Sequence, residues 1–71
     1  MLLNNIEVDV KTRCIEEETT QTMLAEGVGT SPSYVSRIVK SKEQIVNTTF
    51  IAMMEQLGYD VELHYVKRKT S

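Results

Sequence analysis

The sequence predicts a mostly α domain of four helices, closed by a C-terminal β-strand that pairs across a dimer. Three observations carry that expectation. Apolar residues recur at helical spacing, as at Ile6, Val10 and Cys14 or at Phe50, Met53, Met54 and Leu57. Gly29, followed by Ser31 and Pro32, punctuates the middle of the chain in the way that ends one helix and starts the next. After Gly58 the apolar period drops to about two, with Tyr59, Val61, Leu63 and Tyr65 alternating with Asp60, Glu62 and His64. The division is therefore residues 1–58 as the helical domain and 59–71 as strand and basic tail.

Asn4 or Asn5 caps a first helix that runs to about Glu18, with Ile6, Val10 and Cys14 as its buried edge and Val8 and Ile15 widening it. Glu16, Glu17 and Glu18 read as an exposed charged end. Thr20 caps a second helix, Gln21 to Val28, whose inward stripe is Leu24, Ala25 and Val28. Gly29 takes a positive φ to end it, and Ser31 caps a third helix in which Pro32 fills the first turn. Val35, Ile38 and Val39 face inward, so two apolar faces meet across Gly29. Residues from Ser41 to Val46 read as a loop, and Asn47 or Thr48 caps a fourth helix ending at Leu57. Phe50, Met53, Met54 and Leu57 read as a lid over Leu24 and Ile38, whereas Ile51 is expected in an exposed patch or against the tail.

At about 100° per residue, Ser33, Ser36, Arg37 and Lys40 cluster opposite Val35, Ile38 and Val39. That face is polar, short-chained and basic. Small hydroxyls permit close approach to a major groove, and a guanidinium can bond both O6 and N7 of guanine. Gln21, Ala25, Gly29 and Val35, in the order Q-x3-A-x3-G-x5-V, with Leu24, Val28 and Ile38, resemble the Cro and phage-repressor type helix-turn-helix, the XRE family. The resemblance covers roughly Val10 to Gly58 and implies a lambda-repressor-like fold. It implies that Gln21 lies against a phosphate and that the third helix enters the major groove, with Pro32, Ser33 and Arg37 facing bases. The whole candidate DNA-contacting set is Gln21, Ser31, Pro32, Ser33, Tyr34, Ser36, Arg37, Lys40 and Lys42. Pro32 departs from the family pattern and offers only an apolar contact. Cys14 and Val39 stand where some members bury an Arg and Glu pair, so apolar packing replaces that pair here.

Seventy-one residues, 41% of them hydrophobic, allow one small domain with a modest core and leave no room for a ligand-sensing domain. Cys14 is the single cysteine, no His/Cys cluster has zinc spacing, and no apolar run approaches the ~20 residues of a membrane span. A reduced, cytoplasmic protein without cofactors is expected. Nor do catalytic partners converge, since the one histidine, His64, belongs to the strand's polar face.

The net charge of −2 weighs against nucleic acid, but its distribution along the chain points the other way. Six acids against Lys11 and Arg13 leave residues 1–30 at −4, whereas Arg37, Lys40 and Lys42 against Glu43 leave residues 31–46 at +2. Lys67, Arg68 and Lys69 form either a further phosphate contact or a solvated terminus. A lone strand leaves its backbone groups to pair with the same strand of a second copy, making Tyr59, Val61, Leu63 and Tyr65 the dimer interface. The competing arrangements pair it with residues near Leu2 to Asn5 of the same chain, or leave it unpaired over the core. Functionally, the leading expectation is a repressor acting as a homodimer on a palindromic operator in double-stranded DNA. The rival is a protein-interaction module on the same scaffold, such as an antitoxin-like protein binding a toxin or co-regulator through Ile51, the methionines or the tail.

Overall fold

A computed structural model describes residues 1–41 and 45–69 of the chain. Helix α1 spans Ile6–Glu16, α2 Gln21–Val28, α3 Pro32–Lys40 and α4 Thr48–Gln56. No helix among the described residues is long and apolar enough to cross a membrane.

Each helix begins at a residue whose side chain replaces a missing backbone acceptor. Asn5 accepts from the Val8 N–H, Thr20 from Met23, Ser31 from Tyr34, and Asn47 from both Thr49 and Phe50. Three helices end alike. At α2, Gly29 sits at φ 85° while its N–H bonds the Glu26 carbonyl and the Thr30 N–H reaches the Ala25 carbonyl at 2.9 Å. Gly58, at φ 92°, closes α4 with the same pair of bonds, to Glu55 and from Tyr59 to Met54. At α1 the left-handed position falls to Glu18, φ 53°, with Glu18 N–H to Ile15 and Thr19 N–H to Cys14. This Schellman geometry explains why α1 stops at Glu16 and not at Glu18 as expected. In the Ser41–Val46 segment, expected as a loop, Ile45 has helical backbone and residues 42–44 lie outside the described ones.

The buried residues among those described are Leu2, Ile6, Cys14, Ala25 and Val39. Leu2, Ile6 and Val39 form one cluster, against which Val10, Val46, Ile51, Val61 and Leu63 pack. Ile51, expected in an exposed patch or against the tail, is half-buried and packs against the same core cluster as Val61 and Leu63. Val8 and Ile15, expected to widen the buried edge of α1, are exposed, Ile15 by 77%. They lie well over 100° around the helix from Val10, so they share no face with it. Of the expected lid only Met54 is half-buried, and Phe50, Met53 and Leu57 are exposed. The apolar arc of α4 is wider than the core beneath it, and Ile51 with Met54 takes the inner part. Val28, expected inward, is also exposed, leaving Leu24 and Ala25 as the inward residues of α2.

The expected strand is not formed. Residues 59–67 hold an isolated parallel bridge between Leu2 and Val61, flanked by Val61 N–H to the Met1 carbonyl and Leu3 N–H to the Val61 carbonyl, each 2.9 Å. The Met1 ammonium adds contacts to Asp60 at 2.7 Å and Glu55 at 3.2 Å. One residue further on, the Asn4 side chain substitutes for a peptide: Oδ1 accepts from the Leu63 N–H at 2.6 Å and Nδ2 donates to the Leu63 carbonyl at 2.9 Å. The ladder stops there because Asn5 turns away to cap α1. Of the pairings the sequence allowed, the one with residues near Leu2 to Asn5 of the same chain is observed.

Candidate nucleic-acid interface

Helix α3 presents its two faces as its periodicity dictates. Val39 is buried and Val35 and Ile38 are half-buried, while Ser31, Pro32, Ser33, Tyr34, Arg37 and Lys40 are exposed. Ser36 and Gln21 are half-buried, so each presents only part of its side chain to a ligand. Lys42 lies outside the described residues. Pro32 fixes φ in the first turn and Ser31 Oγ accepts the Tyr34 N–H at 3.2 Å, so this end of α3 is held by covalent and hydrogen-bond constraints together.

The charges on this face have no acidic partner among the described residues. Arg37 and Lys40 make no ion pair with a described residue, and α3 contains no acid. Arg37 instead lies over the Tyr34 ring, with Cζ 5.6 Å from the ring centroid. Other bases are engaged within the chain. Lys11 pairs with Glu7, Lys67 reaches Glu17 at 3.1 Å, and the Arg13 guanidinium stacks on Tyr65 at 4.5 Å. The tail lysine nearest the domain thus answers the acid at the C-cap of helix α1.

The four tail residues expected at an interface part company. Val61 and Leu63 are half-buried against the chain's own core, whereas Tyr59 and Tyr65 are exposed. The Tyr65 hydroxyl donates to Asp9 Oδ2 at 2.8 Å, and Asn4 Nδ2 donates to the same oxygen at 3.0 Å. These two donors, Asn4 first, hold the Asp9 carboxyl below the ordinary aspartate range. Desolvation, reinforced by the bond to Asp9, pushes the Tyr65 phenol up. His64 lies on the outer side beside Glu62.

Two features escaped the sequence reading. The stack of Tyr34 and Arg37 had a signal, since an aromatic and a cation three residues apart are neighbours on a helix. Asn4 had none beyond its candidacy as a cap, because its partner stands 59 residues away. The helix-turn-helix family matches residues 10–63 of the chain. No curated protein and no solved structure matches it.

Proposed function

Because the chain belongs to the helix-turn-helix family of Cro and phage-repressor type, we propose that it is a sequence-specific DNA-binding regulator, a repressor acting in the cytoplasm as a homodimer on a palindromic operator. The observation that carries this reading is the outer face of α3, where Ser33 and Pro32 leave room for close approach and Arg37 and Lys40 have no acidic partner among the described residues. Arg37 reads a guanine through two N–H bonds, Lys40 and Gln21 meet phosphates, and Pro32 touches an apolar base edge such as a thymine methyl. Ser31, Tyr34, Ser36 and Lys42 complete the contact surface.

The homodimer rests on surface that the chain leaves open. In an extended segment successive backbone groups point to opposite sides. The Val61 and Leu63 groups face the N-terminal residues, and those of Glu62 and His64 have no backbone partner among the described residues. A second copy can pair along that outer edge, with Tyr59 and Tyr65 beside it. Phe50 and Met53 on α4, with Leu57 at its C-cap, form an uncharged apolar stripe that supplies further area to bury. Two recognition helices would then stand about 34 Å apart, facing successive major grooves. Because Val61 and Leu63 help close the core, deleting the tail would test folding and not association. Sedimentation of the full chain with Glu62→Pro, and separately with Leu57→Glu, asks the question; a dimeric wild type with both variants still dimeric would remove these surfaces from the interface.

The same stripe favours a second reading, in which a toxin or co-regulator docks on α4 and DNA binding is vestigial. Affinity for a random DNA pool separates the two. A reader of DNA loses affinity with salt at a log–log slope of about −0.9 per phosphate neutralised. A module that binds only protein retains no DNA at any salt.

A further inference from the structure

The Tyr34 ring lies under Arg37 on the exposed side of α3, with the guanidinium carbon 5.6 Å from the ring centroid. The ring is built on the most constrained turn of the helix, since Pro32 fixes φ and the Ser31 hydroxyl takes the Tyr34 N–H. Arginine carries considerable rotamer freedom, which a base contact must remove. A carboxylate could orient the guanidinium only by occupying its N–H groups. An aromatic ring engages the flat face and leaves every N–H on the edge free, which is where guanine O6 and N7 must be met. No described acid competes for Arg37.

We propose that Tyr34 is a positioning residue for base selection: its ring holds the Arg37 guanidinium edge-on toward the groove before DNA arrives. This rests on α3 being the recognition helix and adds to it a residue whose own contacts carry no base preference. The phenol hydroxyl has no part in the role, so Phe serves and an aliphatic residue does not.

The test uses the full chain as wild type, Tyr34→Phe, Tyr34→Leu, Arg37→Ala and the Tyr34→Leu/Arg37→Ala double variant. Each is titrated against the site that wild type enriches from a random pool, and against every single-base-pair substitution of that site. Arg37→Ala is expected to abolish preference at one base pair of each half-site. Tyr34→Leu should weaken discrimination at that same pair by roughly two- to fivefold, the scale of an exposed cation–π contact. Discrimination elsewhere should hold, Tyr34→Phe should match wild type, and the double variant should discriminate no worse than Arg37→Ala. The Arg37 side-chain protons should also shift upfield in wild type and Tyr34→Phe but not in Tyr34→Leu. A loss in Tyr34→Leu that is uniform over all substitutions, with discrimination at the Arg37 base pair unchanged, would make Tyr34 a general contact only and overturn the proposal, as would additive losses of discrimination in the double variant. If Arg37→Ala selects bases as wild type does, or wild type enriches no site, the DNA reading itself falls and the positioning role with it.

Discussion

Replacing Asn4 by Ala removes the one side chain that ties the N-terminal segment to Leu63 and to Asp9 at once. Three hydrogen bonds go, at 2.6, 2.9 and 3.0 Å. Each such bond contributes about 0.5–1.5 kcal/mol net, and leaving a part-buried donor or acceptor without a partner adds to the loss. Asn4 and Leu63 are half-buried, so water compensates some of this; about 2 kcal/mol is the reasonable figure. A domain of this size has roughly 4–10 kcal/mol in total, and 1 kcal/mol moves Tm by about 4–8 °C. Asn4→Ala should therefore melt roughly 8–16 °C below wild type, a larger drop than the ~1 kcal/mol expected for removing the neighbouring cap with Asn5→Ala. Hydrogen exchange at the Leu63 amide should accelerate in the same variant. A melt within about 2 °C of wild type, with the Leu63 amide equally unprotected in both proteins, would refute the clasp.

Other perturbations follow from single residues. Glu18 occupies a left-handed position at φ 53°, so Glu18→Gly should raise stability by about 1 kcal/mol in a denaturant titration. Gly29→Ala should cost a similar amount; nothing lies within 4 Å of the added Cβ, so strain at φ 85° is the whole effect. Asp9 has a lowered folded-state pKa, so its contribution is present above the ordinary aspartate range and is lost as pH falls through its folded value. Melts of wild type and Asp9→Asn should accordingly converge as pH drops below about 4 and differ most near neutrality. Cys14→Arg and Val39→Glu should each destabilise by several kcal/mol by burying a lone charge. A harmless Cys14→Arg in the same melts would show that position to be open to water.

What could be read in the sequence was what acts over a few residues. Thr20, Ser31 and Asn47 cap because a short polar side chain reaches an amide two or three residues on, and Gly29 and Gly58 close helices because no Cβ obstructs a positive φ. The outward placement of Arg37 and Lys40 likewise follows from helical periodicity alone. Long-range partners were not legible. The alternation from Tyr59 to Tyr65 specifies an extended backbone but not what it pairs with, and Asn4 gives no local sign that its amide will stand in for a strand. Periodicity also overstates burial in so small a chain: Phe50, Met53 and Leu57 keep helical spacing, yet the core under α4 is only wide enough for Ile51 and Met54. Glu18 shows the reverse, a helix end formed without the glycine that usually announces it.

Whether α3 reads DNA through Arg37 in a two-fold assembly is decided by selecting bound sequences from a random duplex pool with wild type and Arg37→Ala in parallel. Wild type should enrich a symmetric site with half-site centres about 10 base pairs apart, carrying a guanine in each half that Arg37→Ala no longer requires, at a loss of about 1–3 kcal/mol for the preferred site. Enrichment of no common sequence by wild type, or of the same sequence by both proteins, would contradict it.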